Sequence, residues 1–154
     1  MRIYIDGDAC PVTDIVVRTA SEFSLEVTLI HSTSHFGSAS GYGQVEKIMV
    51  DNESQAADMA IINRVAEGDI VVTGDYGLAS LVLGKKALAI SFNGKVYDNE
   101  NIERLLFERH ISAEMRRSGG KVKGPAKRTR EDDEQFGIAL RRLILRQPER
   151  PGLS

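Results

Sequence analysis

Short apolar runs alternate with segments of helical periodicity along most of this chain, and this alternation limits the folds that the chain can adopt. The later runs, Asp69–Thr73 (DIVVT) and Ala87–Ser91 (ALAIS), are apolar in their interiors. Strands of that kind are buried on both faces, as in a parallel sheet that is covered by helices. The pattern therefore predicts a three-layer α/β fold with a mainly parallel five-stranded sheet, followed by a C-terminal linker and helix.

The expected elements alternate in a regular order. Strands are predicted over residues 2–6, 25–31, 45–50, 69–73 and 87–91. The spacing of apolar residues predicts helices over residues 11–23, 54–66, 76–83, 102–107 and 131–146. Asn93 and Gly94 indicate a turn after the fifth strand. Thr129 and Asp132 resemble a capping box, which places the start of the last helix.

Length and composition suit one domain. The chain has 154 residues, of which 42% are hydrophobic, enough for a core. No apolar run approaches the roughly 18 to 20 residues of a membrane span, so no membrane association is expected. The chain begins with a strand pattern rather than a signal peptide, and the single cysteine, Cys10, cannot form an internal disulfide. We therefore expect a cytoplasmic protein, and the sequence leaves its oligomeric state open.

Positive charge is concentrated near the end of the chain, in a region rich in glycine and proline. Seven lysines and arginines lie between residues 116 and 130, with no acid among them. Such a segment can contact the phosphates of a nucleic acid. The residues expected to do so are Lys121, Lys123, Lys127 and Arg128. A solvated linker explains the same charges equally well, and few aromatic residues lie nearby to stack on bases.

Aspartates follow two strands that we expect to be neighbours in the sheet. Asp6 and Asp8 come at the end of the first strand, and Asp75 follows the fourth. With the strand order 3-2-1-4-5, right-handed crossovers place the first and fourth strands side by side. Sites in open α/β sheets lie at the carboxyl ends of strands, where the strand order reverses. Asp58, on the helix before the fourth strand, is within reach of the same crevice.

Carboxylates gathered at one place favour a bound cation. Two of them about 4 Å apart repel each other by roughly 4 kcal/mol at an effective dielectric constant of about 20. Since Mg²⁺ and Mn²⁺ prefer oxygen ligands, we predict a site for one of these ions. Its ligands are the four aspartates Asp6, Asp8, Asp58 and Asp75, with Thr73 and His35 as supporting residues. The alternative is that each aspartate only caps a helix or forms a turn.

Four segments carry a resemblance to a known family. They are Ile5–Pro11 (IDGDACP), Gln55–Asp58 (QAAD), Val71–Ala79 (VVTGDYGLA) and Phe92–Gly94 (FNG). Together they resemble the bacterial YaiI/YqxD family, which is grouped with PIN-like folds. The order of Asp6, Asp58 and Asp75 is similar to that in PIN-domain nucleases. The resemblance to the YaiI/YqxD family covers nearly the whole chain. The similarity to PIN-domain nucleases implies a metal-dependent nuclease, and RNA is favoured over DNA as its substrate.

The resemblance also suggests how the chain is divided. Residues 1–117 would form the PIN-like α/β domain, and residues 118–130 a basic Gly/Pro linker. Residues 131–154 would form a C-terminal helix and tail that belong to the same domain.

The chain departs from the common pattern of PIN nucleases at one position. Those enzymes carry a further acid, often glutamate, between the first aspartate and the helix aspartate. The candidates here are Glu46, Asp51 and Glu53, and Asp8 is an alternative for the same role.

Two other functions remain open at this stage. The segment Ile5–Asp8 also resembles the D-x-D motif of haloacid-dehalogenase phosphatases, in which Asp6 would be the nucleophile and Asp8 the acid/base. Alternatively, the domain is not catalytic and binds RNA or a partner protein.

Overall fold

The chain folds into alternating strands and helices, as the sequence predicts. A computed structural model describes residues 1–7, 10–32, 45–52, 55–120 and 127–146. The strands are β1 (Arg2–Asp6), β2 (Glu26–Ser32), β3 (Glu46–Val50), β4 (Ile70–Val72), β5 (Leu88–Ile90) and β6 (Val96–Tyr97). The helices are α1 (Thr13–Glu22), α2 (Ala56–Ile62), α3 (Tyr76–Gly84), α4 (Asn99–Arg117) and α5 (Arg130–Leu145).

The strands form one mainly parallel sheet in the order β3-β2-β1-β4-β5-β6. β1 is parallel to both of its neighbours, β2 and β4. The predicted order 3-2-1-4-5 is therefore confirmed, and the sheet has six strands rather than the five expected. The sixth strand, β6, pairs antiparallel with β5. It is only two residues long, too short for the alternation by which a strand is recognised in a sequence.

Two helices differ from their predicted lengths by more than three residues. α4 begins at Asn99 and ends at Arg117, whereas the sequence predicts only residues 102–107. Its start is set by a capping box between Asp98 and Asn101, and its apolar residues lie on more than one face. α2 ends at Ile62, four residues earlier than predicted. No helix in the described ranges is both long enough and apolar enough to span a membrane.

Alternate residues of the central strands enter two separate cores. On one face of the sheet, Ile3 and Ile5 pack with α1 and α5. On the other face, Tyr4 and Val71 pack with residues of α2, α3 and α4. α5 thus covers this chain's own sheet, and its capping box between Thr129 and Asp132 forms as predicted.

The proposed division into domain, linker and tail stays a prediction, since residues 121–126 and 147–154 lie outside the described ranges.

Candidate active site

Thr73 connects two of the predicted site residues. Asp6 is the last residue of β1, and Thr73 follows the neighbouring strand β4 directly. The Thr73 hydroxyl donates to Asp6 Oδ2 over 2.9 Å, and it accepts from the backbone N–H of Asp75 over 3.0 Å. Thr73 is fully buried. It therefore links the side chain of Asp6 to the backbone of Asp75 through one hydroxyl. Its role as a supporting residue of a metal site stays a prediction.

Asp75 also begins α3. Its Oδ1 accepts a hydrogen bond from the backbone N–H of Leu78 over 3.2 Å, as an N-cap residue does. The capping role that we considered as an alternative is thus present. A carboxylate has two oxygens with about four lone-pair sites, so capping occupies only part of its acceptor capacity. Capping and cation binding by Asp75 are therefore compatible.

Gly7 allows the chain to turn closely against β2 after Asp6. Its backbone N–H donates to the carbonyl of Ile30 over 2.7 Å. A Cβ at this position would lie 2.5 Å from Leu29 Cδ1 and 2.8 Å from Ile30 O, closer than any real contact. Only glycine fits there. Asp8, the next residue of the motif, lies outside the described ranges, and its role as a ligand stays a prediction.

A crevice of about 690 Å³ opens at the carboxyl ends of β1, β2 and β3, between α2, α3 and α4. It collects residues from elements far apart in the sequence, among them three of the four predicted ligands. The charged residues that line it are Asp6, Asp51, Asp58, Asp75 and Arg109. The neutral polar side chains of Ser32, Asn52 and Gln55 also line it. The crevice lies where the strand order reverses between β1 and β4, as expected for a site in an open α/β sheet.

The lining has the donor chemistry of a hard-cation site. Carboxylate, hydroxyl and amide oxygens are the ligands that Mg²⁺ and Mn²⁺ prefer. Within the described ranges, however, no three His, Cys, Asp or Glu side chains lie close enough together to hold one ion. Asp6, Asp58 and Asp75 thus share the crevice without forming a complete ligand set by themselves.

Asp58 lies in an environment that disfavours its charge. Partial burial, and then the neighbouring charge of Asp75, raise the pKa of the Asp58 carboxyl. Both causes act on the ionised form: burial removes water from it, and a second carboxylate repels it. A cation bound between Asp58 and Asp75 would relieve the repulsion. Such a perturbed acid in a crevice is typical of functional sites.

Tyr97 supports the same edge of the site from β6. Its buried hydroxyl donates to the backbone carbonyl of Thr73 over 3.2 Å. Its ring meets that of Tyr76 edge to face, with the centroids 6.0 Å apart. Burial, followed by the proximity of Tyr76 and Asp75, raises the pKa of Tyr97 to about 12. Tyr97 is therefore a neutral donor at physiological pH, and no motif in the sequence identified it.

The structure adds two charged residues to the predicted site. Arg109 lies on α4, beyond the point where the sequence predicted that helix to end. Asp51 directly follows β3, so it obeys the strand-end rule that identified Asp6 and Asp75. Of the candidates for a further acid that the structure describes, Asp51 lines the crevice and Glu46 does not. Glu46 instead accepts hydrogen bonds from Arg2 and Thr28, and Glu53 lies outside the described ranges.

Arg128, predicted to contact nucleic acid, has a structural role. Its guanidinium donates to Asp133 Oδ1 over 2.7 Å, to the carbonyl of Phe92 over 2.8 Å and to Asn93 Oδ1 over 3.1 Å. These bonds tie the start of α5 to the turn between β5 and β6. Lys127 is exposed. The residues Lys121, Lys123 and His35 lie outside the described ranges, and the phosphate contacts stay predictions.

The fold and the crevice define a class: a doubly wound α/β protein with an acidic site at the switch point of its sheet. The chain belongs to the YaiI/YqxD family, whose sequence profile, described as that of an uncharacterised family, matches residues 4–146. The predicted resemblance to this family is thereby confirmed.

Curated relatives cover almost the whole chain. It is 49% identical to the UPF0178 protein of Clostridium acetobutylicum over 148 residues. These residues are 95% of this chain and 98% of the relative. The UPF0178 protein of Alkaliphilus metalliredigens is 46% identical over 144 residues, which are 94% of this chain and 92% of the relative.

Proposed function

We propose that this protein is a divalent-metal-dependent phosphodiesterase that cleaves RNA. The observation that carries the proposal is the convergence of Asp6, Asp58 and Asp75 in one crevice at the switch point of the sheet. The three aspartates come from β1, α2 and the start of α3, so their proximity is produced by the tertiary fold. The preference for RNA over DNA comes from the resemblance to PIN-domain nucleases.

The charge of the crevice supports the need for a cation. Four aspartates and one arginine give its described lining a formal charge of −3. A phosphodiester carries a negative charge and would be repelled from such a surface. Mg²⁺ or Mn²⁺, when bound, would stabilise negative charge on the phosphate oxygens and make water a better nucleophile.

The described residues divide the remaining tasks. Asp6 and Asp75 would bind the ion, and Thr73 holds both of them in place. Asp58 and Asp51 line the same crevice and would complete the oxygen donors together with Asp8. Arg109 would bind the phosphate of the substrate, since a guanidinium donates two parallel hydrogen bonds to two oxygens of such a group.

The proposal is tested by incubating a set of short fluorescent RNAs with Mn²⁺ and the purified protein. Asp6→Asn and Asp75→Asn should reduce the cleavage rate by about 100-fold or more, because each removes a charged ligand. Asp98→Asn is the matched control. Asp98 caps α4 outside the crevice lining, and asparagine caps a helix about as well. Its cleavage rate should equal that of the wild type.

Two results would contradict the proposal, each in favour of a different alternative. RNA that is bound but not cleaved in Mn²⁺, with affinity unchanged in Asp75→Asn, would indicate a non-catalytic binding domain. An aspartyl phosphate trapped on Asp6 would indicate a phosphatase of the haloacid-dehalogenase type.

The basic linker is tested through the salt dependence of RNA binding. Replacing Lys121, Lys123 and Lys127 by alanine should make affinity fall less steeply with salt, since the slope reflects the number of phosphates neutralised. An unchanged slope would exclude these lysines as phosphate contacts.

A further inference from the structure

α4 is apolar on two opposite faces. Ile102 is buried, and Leu105 and Leu106 pack against the core beneath the sheet. Ile111 follows Ile102 by nine residues, about two and a half turns of 3.6 residues, so it faces away from that core. Three large apolar side chains form an outer stripe, each four residues after the last. They are Phe107, Ile111 and Met115, which are 64%, 42% and 46% exposed.

A surface helix normally presents polar residues on the face opposite to its core. An apolar row there is typical of a surface that another molecule covers. We propose that the occupant is a second copy of this chain, and that two copies pair through antiparallel α4 helices with Ile111 at the two-fold axis. Phe107 of one copy then meets Met115 of the other, so the stripe is complementary to itself.

The distribution of charge along α4 selects this occupant and this direction. The first half of the helix, residues 99–108, has a formal charge of −2, and the second half, residues 109–117, has a charge of +2 with His110 neutral. Antiparallel pairing places each acidic half beside a basic half, and it also aligns the helix dipoles favourably. Parallel pairing would place like charges together.

Two residues would form the contact between the acidic half of one α4 helix and the basic half of the other. Glu103 lies eight residues before Ile111, and Arg117 lies six residues after it. The two positions are fourteen residues apart, which is about four turns, so both side chains are on the same flank of the stripe. Across a two-fold axis at Ile111, Glu103 of one copy lies beside Arg117 of the other. Arg117 bonds to Glu114 within the chain, an exposed ion pair that is exchanged at little cost.

The interface is small, which sets the concentration range of the test. α4 has 19 residues, so a pair of such helices runs about 28 Å. Its contact area falls at the low end of specific interfaces, and we expect a dimer that forms at micromolar or higher concentration. The inference is independent of the proposed nuclease activity, because it uses none of the aspartates of the crevice.

Sedimentation equilibrium of the full chain, from micromolar to millimolar concentration, tests the pairing. The average mass should rise from the monomer mass of 16.9 kDa towards twice that value. Ile111→Arg should keep the protein monomeric over the whole range, with circular dichroism confirming that it is folded. Ile138→Arg, at an isoleucine of α5 that is 51% exposed, is the matched control and should dimerise like the wild type.

An exchange of charges tests the direction of the helices. Glu103→Lys and Arg117→Glu should each weaken the dimer several-fold, and the two changes combined should restore it. A monomer at every concentration, or a dimer that Ile111→Arg leaves intact, would overturn the proposal. A dimer that Ile111→Arg disrupts, but that the combined exchange fails to restore, would overturn the antiparallel arrangement.

Discussion

Thr73 Oγ1 donates a 2.9 Å hydrogen bond to Asp6 Oδ2, and this bond joins residues that are 67 positions apart in the chain. It links the carboxyl ends of β1 and β4, the two strands between which the strand order reverses. The same hydroxyl accepts from the backbone N–H of Asp75. One buried side chain thus couples the positions of two acids in the candidate site.

Removing the Thr73 hydroxyl should destabilise the protein and disturb the site together. Thr73→Val keeps the shape but leaves the N–H of Asp75 without its acceptor, so the free energy of unfolding should fall by about 1–3 kcal/mol. Chemical denaturation measures this change. Thr73→Ser, which keeps the hydroxyl, should retain more of the stability. A loss in Thr73→Ser with no loss in Thr73→Val would show that the methyl group, not the hydrogen bonds, carries the effect.

Tyr97→Phe should remove a donor from the backbone of Thr73 and cost about 1 kcal/mol of unfolding free energy. Tyr76→Phe, which keeps both rings in contact, is the control. The wild type should also lose stability relative to Tyr97→Phe as the pH rises from 10.0 to about 12. In that interval the unfolded tyrosine is ionised while the folded one holds its proton. Denaturation curves at alkaline pH measure both effects, and parallel pH profiles for the two proteins would contradict the second.

Because its pKa is raised, Asp58 should contribute less to stability as the pH rises. Carboxyls with a lowered pKa, which cause ordinary acid denaturation, contribute less as the pH falls. Folding takes up a proton between the unfolded-state pKa, about 3.8, and the higher folded-state pKa, so the contribution of Asp58 to stability falls as the pH rises through that interval. Asp58→Asn should therefore gain stability relative to the wild type from about pH 4 upwards.

The cause of that shift is tested separately by titrating the Asp58 carboxyl with NMR. Asp75→Asn should lower the pKa of Asp58 only in part, because burial is the larger cause and the charge of Asp75 the smaller one. A pKa of Asp58 that is the same in both proteins would show that the two carboxylates do not interact.

Arg128→Lys should destabilise the attachment of α5. Lysine has no planar fork with which to reach Asp133, Phe92 and Asn93 at once, so a loss of about 1.5–3 kcal/mol is expected. The side chain of Arg130 is 94% exposed. Arg130→Lys is therefore the matched control, and it should change the free energy of unfolding by less than about 0.5 kcal/mol. Thermal and chemical denaturation would compare the two. Unchanged stability in Arg128→Lys would argue that these bonds contribute little.

The sequence was informative wherever position along a strand determines position in space. Strand ends lie at one edge of a parallel sheet, and for this reason the grouping of Asp6 and Asp75 could be predicted from the sequence. Asp58 was included only because it lies on the helix before the fourth strand. The capping box of α5 was likewise readable, since Thr129 and Asp132 are local partners.

Other features depend on contacts that leave no local pattern. Arg109 was missed because α4 continues past its last inward-facing leucine, and its place in the crevice depends on how that helix packs. Two of the three partners of Arg128 lie about 35 residues away, and one of these is a backbone carbonyl, which any residue can supply. Tyr97 belongs to a strand of two residues, for which there is no periodicity to detect.

A calorimetric titration of Mn²⁺ into the wild type, Asp6→Asn and Asp75→Asn tests the central claim most directly. If the crevice is one shared metal site, the wild type binds Mn²⁺ and each variant weakens the binding by about 10-fold or more, while Asp98→Asn binds normally. Absence of binding by the folded wild type, or affinity unchanged in both crevice variants, would contradict the claim. The aspartates would then serve only to cap helices and form turns.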